Sequence, residues 1–215
     1  MQPKKLFEIL LENYGQQYWW PAKSNWEVIV GAILTQNTSW IQVEKAIANL
    51  KAKRKLSLNA IQEINEQELG ELIKPAGYFN QKAVYLKEIA KYIQENYSGD
   101  LDKWFAKDLI DLRTELLGLK GIGPETCDSI LLYAAKKPVF VIDAYTKRLS
   151  ERLDLTDKLD YNDLQEFFQL NLKKNVQLYN EFHALIVNHA KNYCLKENPK
   201  CEKCILKKEC FFIKK

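Results

Sequence analysis

Residues 116–127 read LLGLKGIGPETC, and three of the chain's eight glycines, Gly118, Gly121 and Gly123, fall inside that run. Few stretches restrict a fold as much. Upstream, Leu109, Leu112 and Leu116 recur at helical spacing. Downstream, Pro124 suits the first position of a new helix, where its missing N–H costs nothing. The pattern predicts helix, tight turn, helix. Residues without Cβ atoms admit positive φ and the close approach of another backbone, and the N–H groups opening the second helix point toward an anion. A phosphate is the natural ligand of such a turn, although an ordinary helix-to-helix turn with glycine as a stop would use the same residues.

Elsewhere the chain is written in helical periods. Amphipathic or buried helices are expected over 3–14, 24–34, 40–54, 58–64, 66–73, 79–96, on both sides of the hairpin, from Ala144 onward, and over 160–172 and 175–192. Ser24 and Glu27 have the spacing of a capping box, and WEVIVGAIL after them is apolar on all sides. No segment alternates as a strand does, so the fold class is all-α. With 215 residues there is enough chain for one large domain or two small ones. The chain has no run of ~18 apolar residues and no signal-peptide pattern at MQPKKLFEILLENYG. A cytoplasmic protein without membrane contact is expected.

Charge and cysteines are unevenly placed. The net charge is +4, yet residues 191–215 alone hold eight lysines and three glutamates, which marks the C-terminus as a candidate DNA-facing edge. Four of five cysteines crowd into the same stretch as Cys194, Cys201, Cys204 and Cys210, spaced C-x6-C-x2-C-x5-C. In a reducing compartment such a group binds metal more often than it forms disulfides, and spacing alone leaves zinc and an iron–sulfur cluster both open. Cys127 stands apart, as a small buried residue. Aromatic residues Tyr18, Trp19, Trp20 and Trp26 crowd a connector around Pro21, a surface suited to stacking. His183 and His189 lie six positions apart on one helix and read as packing or surface residues.

LKGIGPET resembles the helix-hairpin-helix motif of base-excision DNA glycosylases. Asp143, 20 residues after Gly123 and 18 after Glu125, is similar in register to the aspartate that closes the signature of the endonuclease III superfamily. With ILTQNTSW, IKPAGYFNQKA and the cysteine spacing also matching, the resemblance extends over nearly the whole chain. It implies a two-lobed fold: a six-helix barrel domain over 24–136 containing the hairpin (107–136), and a helical domain from 1–23 and 137–215 with an iron–sulfur loop at 194–210. It further implies Asp143 as catalytic residue and a 4Fe-4S cluster on the four cysteines. Gln36 would fill the gap left by an extruded base. DNA contacts would come from Lys82, Gly118, Lys120, Gly121, Gly123, Lys200 and Lys203.

Relatives that also nick DNA use a lysine at the second position after the last hairpin glycine. Here Glu125 stands there, and a carboxylate forms no imine, so base removal without strand cleavage is expected. The combination of YWWP with these motifs looks most like the 3-methyladenine DNA glycosylase III branch, whose best-known members lack the cluster loop. That likeness implies a pocket of Trp19, Trp20, Pro21, Trp40, Glu125 and Lys191 for a cationic N-alkylated purine. The partner would be double-stranded DNA containing a damaged base, bound by a monomer. Uracil, mismatched thymine or oxidised pyrimidine would be the alternative substrates, and a non-catalytic DNA-binding module the alternative class.

Overall fold

The computed structural model describes residues 1–213; Lys214 and Lys215, the end of the basic stretch, lie outside them. Its helices are α1 (Pro3–Tyr14), α2 (Asn25–Leu34), α3 (Trp40–Ala52), α4 (Leu58–Glu63), α5 (Glu66–Ile73), α6 (Phe79–Tyr97), α7 (Leu101–Phe105), α8 (Leu109–Gly118), α9 (Pro124–Tyr133), α10 (Ala144–Leu153), α11 (Tyr161–Leu170) and α12 (Val176–Asn192). Short 3-10 turns at Lys74–Ala76, Cys201–Lys203 and Lys207–Glu209 join them. Among the described residues there is no strand, and no helix is long and apolar enough to cross a membrane. The protein is all-α, as its periodicity implies.

The chain separates into two compact units, Ala22–Lys136 and the pair of segments Met1–Pro21 and Lys137–Lys215. In the first unit the organising element is α2, whose residues from Trp26 to Leu34 are all buried. Its apolar run has no outward face because α3, α6 and α9 all pack on it. Burying each Val, Leu or Ile there contributes about 1.5–3 kcal/mol. Ser24 caps the helix by accepting from Glu27 N at 3.2 Å. The reciprocal half of the box is displaced: Glu27 accepts from Lys23 N at 3.3 Å and pairs with Lys51 at 2.6 Å, so this buried carboxylate is compensated on two sides.

The C-terminal end of α2 is closed from within. Lys82 Nζ donates to Leu34 O at 2.9 Å and to Ala76 O at 2.8 Å, with 1% of the residue exposed. Burial pulls its pKa down to about 8. This overturns Lys82 as a phosphate contact: its ammonium is spent on two backbone carbonyls inside the core. The sequence carries the reason, since Lys82 is in phase with buried Leu86, Ile89 and Ile93 on α6. The short helix α7 also escapes the periodicity. Asp100 Oδ1 accepts from Asp102 N and Lys103 N, and Trp104 behind it is fully buried.

In the second unit α12 is the spine. α1 and α10 pack against it, and Phe140, Phe168, Tyr179 and Phe182 form an aromatic core with Phe140 stacked on Phe168 at 4.5 Å. Gln165 and Gln169 hold the extended stretch before Asp143 by bonding both backbone groups of Phe140.

Candidate active site and cysteine loop

The hairpin between α8 and α9 is built by one glycine, one ion pair and one amide. Only Gly121 has left-handed backbone, with φ +83; a Cβ there would meet the Tyr85 ring at 2.4 Å. Gly118 and Gly123 have open space around them, and neither has positive φ. The dense glycines therefore do different jobs: Gly121 permits the fold, and Gly123 leaves the approach to α9 clear. Arg113 clasps the fully buried Asp128 through two N–H···O bonds of 2.8 and 3.2 Å, tying α8 to α9. Gln36, at the end of α2, donates to Gly121 O at 2.8 Å and to Thr126 Oγ1 at 3.0 Å. Upstream, Glu115 draws together Tyr97, Trp104 and Lys107, and these donors hold its carboxyl down at about 2 against the upward push of burial.

No side chain caps the first turn of α9, whose N-cap is Gly123 and whose first residue is Pro124. Glu125 is exposed at the second position, Lys120 is exposed at the turn, and Trp40 is half-buried at the start of α3. Cys127 is a buried packing residue, as read from the sequence, with burial pushing its thiol up to about 12.

Asp143 caps α10. It is 8% exposed, and its Oδ1 accepts from Thr146 N at 2.7 Å and Thr146 Oγ1 at 2.9 Å. Its other oxygen, Oδ2, lies 3.5 Å from His183 Nε2 on α12. Burial alone would raise this carboxyl. The charge and hydrogen bonding of His183, with the two Thr146 donors, outweigh it and hold the group below its ordinary value. His183 is thus more than packing, and the sequence holds a signal for it: it falls in phase with Tyr179, Ile186 and Ala190 on the buried stripe of α12. A polar residue in such phase requires a buried partner.

Trp19 and Trp20 belong to the same unit, half-buried with ring centroids 5.5 Å apart and Pro21 exposed beside them. Gln17 anchors this segment to α12: its N–H donates to Glu181 at 2.5 Å and its Oε1 accepts from Asn188 at 2.7 Å. Lys191 is exposed in the last turn of α12.

The cysteine loop is a chain of three-residue turns. Cys204 N bonds Cys201 O, Lys207 N bonds Cys204 O, and Cys210 N bonds Lys207 O, at 3.1, 3.1 and 3.4 Å. Side chains three apart in such turns eclipse, which explains why Cys201, Cys204 and Cys210 are separated by multiples of three. Arg152 holds both ends of the loop. Its Nη1 donates to Cys194 Sγ at 3.3 Å and Leu195 O at 2.7 Å; its own carbonyl accepts from Phe211 N at 3.0 Å and from the Cys210 thiol at 3.4 Å. Arg148 adds a bond to Cys194 O at 2.8 Å. Neither arginine is marked by any motif.

His189 is not a surface residue. It is fully buried between Tyr14 Oη at 2.8 Å and Cys204 Sγ at 3.5 Å, and burial pulls its pKa down to about 4. Burial, together with the neighbouring Cys194, Cys210 and Cys201, raises the Cys204 thiol, against a lowering bond from Leu206 N. Cys194, Cys201 and Cys210 thus all lie within electrostatic reach of Cys204. Yet among the described residues no three His, Cys, Asp or Glu side chains are arranged around a single metal ion. Four thiols on one loop are a donor set that suits tetrahedral zinc or an iron–sulfur cluster. Lys200, Lys203 and Lys208 are exposed around it, while Lys207 pairs with Glu202 at 2.5 Å.

Residues 30–174 match the HhH-GPD superfamily of base excision DNA repair proteins. A provisionally named DNA repair glycosylase of Methanocaldococcus jannaschii is 49% identical over 209 residues, 96% of this chain and 94% of that one. The solved 3-methyladenine DNA glycosylase of H. pylori, bound to 1,N6-ethenoadenine, superposes with a TM-score of 0.76 at 32% identity, covering 88% of this chain and 95% of that one. A trapped endonuclease III–DNA covalent intermediate matches in fold, with a TM-score of 0.84 at 17% identity over 98% and 95% of the two chains.

Proposed function

This chain belongs to the HhH-GPD superfamily of base excision DNA repair proteins, and we propose that it is a monofunctional DNA glycosylase that removes N-alkylated purines such as 3-methyladenine from duplex DNA. The carrying observation is Asp143, a buried carboxylate held in its charged form with Oδ1 fixed by Thr146. Cleaving an N-glycosidic bond places positive charge on the sugar, and the base must first leave the stack. One carboxylate about 4 Å from that charge, at an effective dielectric near 20, is worth about 4 kcal/mol, or about three decades in rate. A carboxyl held below its ordinary pKa is a weak proton acceptor, so charge stabilisation outranks water deprotonation as its task.

Glu125 supports release without strand cleavage. It is exposed at the start of α9 where a lyase would carry its amine, and it offers no nucleophile for an imine. The purine assignment draws on the likeness to the H. pylori enzyme and on the paired Trp19 and Trp20 rings, whose faces attract a cationic base. Pro21 and Lys191, in the same unit as those rings, complete the proposed pocket. Backbone N–H groups of Gly121 and Gly123 would hold phosphate, with Lys120, Lys200 and Lys203 adding sequence-independent attraction. Gln36 would fill the vacated base position after exchanging its bonds to Gly121 and Thr126. Cys194, Cys201, Cys204 and Cys210 would hold a 4Fe-4S cluster, which supplies a rigid, charged loop with no open coordination position for substrate.

Duplexes carrying one 3-methyladenine, ethenoadenine, uracil or thymine glycol, analysed with and without alkali, test the reading. Breaks at alkylated purines that appear only after alkali support it. Preferential loss of uracil or thymine glycol, or borohydride trapping of the wild-type protein, overturns it.

A further inference from the structure

We infer that His183 is a positioning residue for the Asp143 carboxylate, fixing the orientation and ionised state of Oδ2 from the opposite helix. The inference rests on the reading of Asp143 as the residue that stabilises the sugar cation. Asp143 and His183 are 8% and 6% exposed, so neither is dissolved in bulk water. Thr146 saturates Oδ1 with two donors from α10 itself, which is all that a helix cap needs. A cap alone would leave Oδ2 to find compensation elsewhere, and burying a carboxylate oxygen without it costs several kcal/mol. His183 Nε2 stands 3.5 Å from that oxygen, in ion-pair range and longer than a strong hydrogen bond. Contacts of this length often tighten when the reaction complex forms.

The surroundings leave few other groups to do this. From its own helix Asp143 faces Thr146 and the phenol of Tyr145, which burial and the Asp143 charge together raise and over which Arg148 lies at 5.1 Å. From α12 it faces His183, set between Tyr179 and Ile186 in the buried stripe. His183 makes the largest favourable contribution against burial at Asp143. Removing it raises the Asp143 pKa. A rate that needs the carboxylate ionised then loses activity at a higher pH as the solution is acidified, and a free Oδ2, no longer oriented, lowers the plateau itself.

The test uses wild type, His183→Phe and His183→Gln. Carboxyl ¹³C titration of Asp143 in the free protein needs no substrate; single-turnover excision of ethenoadenine across pH supplies the second reading. His183→Phe should move the Asp143 midpoint upward and slow excision at pH 7 by about tenfold or more, with damaged-DNA affinity within twofold of wild type. His183→Gln keeps a donor and should recover most of the plateau rate while retaining a raised midpoint; it carries the titration if His183→Phe does not fold. An unchanged midpoint in a folded variant overturns the inference. Wild type active with that midpoint unchanged sinks the positioning role alone, whereas wild type inactive on every duplex with the midpoint raised sinks the glycosylase reading and leaves the Asp143–His183 coupling standing.

Discussion

Helices α9 and α10 follow one another in the chain and begin in opposite ways. α10 brings its own anion: Asp143 caps it from inside a buried pocket and is itself compensated by Thr146 and His183. α9 begins at Gly123, with no side-chain cap and open space where a Cβ would stand. A helix start is a partial positive charge that an anion satisfies. Where the chain supplies a capping anion, it builds a charge of fixed position; where the cap is a glycine, as at α9, it leaves room for a phosphate from outside. The far end of α2 repeats the first solution with the sign reversed, its last carbonyl taken by buried Lys82.

Breaking the internal anion should have the largest effect. Asp143→Asn keeps a good cap but removes the charge, so excision should fall by about two to four decades with damaged-DNA affinity nearly unchanged. Equal losses in rate and affinity, measured by single-turnover kinetics and binding titration, would reduce Asp143 to a structural cap.

Next in size is the hairpin's own geometry. Gly121→Ala forces a side chain into left-handed backbone, costing about 1–2 kcal/mol, and into the Tyr85 ring, costing about 1–3 more. Denaturant unfolding should show a loss of about 2–5 kcal/mol, and unaltered stability would mean that Tyr85 moves aside freely.

Lys82→Met should cost about 2–3 kcal/mol by orphaning Leu34 O and Ala76 O, while leaving DNA affinity alone. Because its folded pKa, about 8, lies below the usual lysine value of 10.5, the unfolded chain binds more protons between those values. Wild-type stability should therefore rise with pH across that window, and the variant should lack the rise.

The smallest change sharpens the comparison most. Gly123→Asp would give α9 the capping carboxylate it lacks, and should raise stability by a few tenths of a kcal/mol while weakening binding to damaged and undamaged duplex alike by about tenfold. Stronger stability with unchanged binding would show that no phosphate sits there.

Much of this was legible because it is local. Caps, the Pro124 start and the helical periods each fix neighbouring residues, and the helix boundaries followed from them. Motif register singles out Asp143 and the four cysteines as candidates. His183 and Arg152 are not so marked, because each acts on a residue some forty positions distant, and no period within one helix encodes its partner on another. Lys82 departs from expectation for a different reason: its residue type points outward and charged, whereas its phase with Leu86, Ile89 and Ile93 places it inside. Phase outranks residue type where the two disagree.

Arg152 has a consequence for tolerance to change in length. It grips the cysteine loop near Cys194 and again near Cys210, so both ends of that stretch are held by one residue. Closure entropy grows only as the logarithm of length, about 0.6 kcal/mol for a doubling. Extra residues between Cys194 and Cys201, outside the three-residue turns, would thus cost little, whereas losing one guanidinium would release the loop at its entry and weaken the frame that holds its exit.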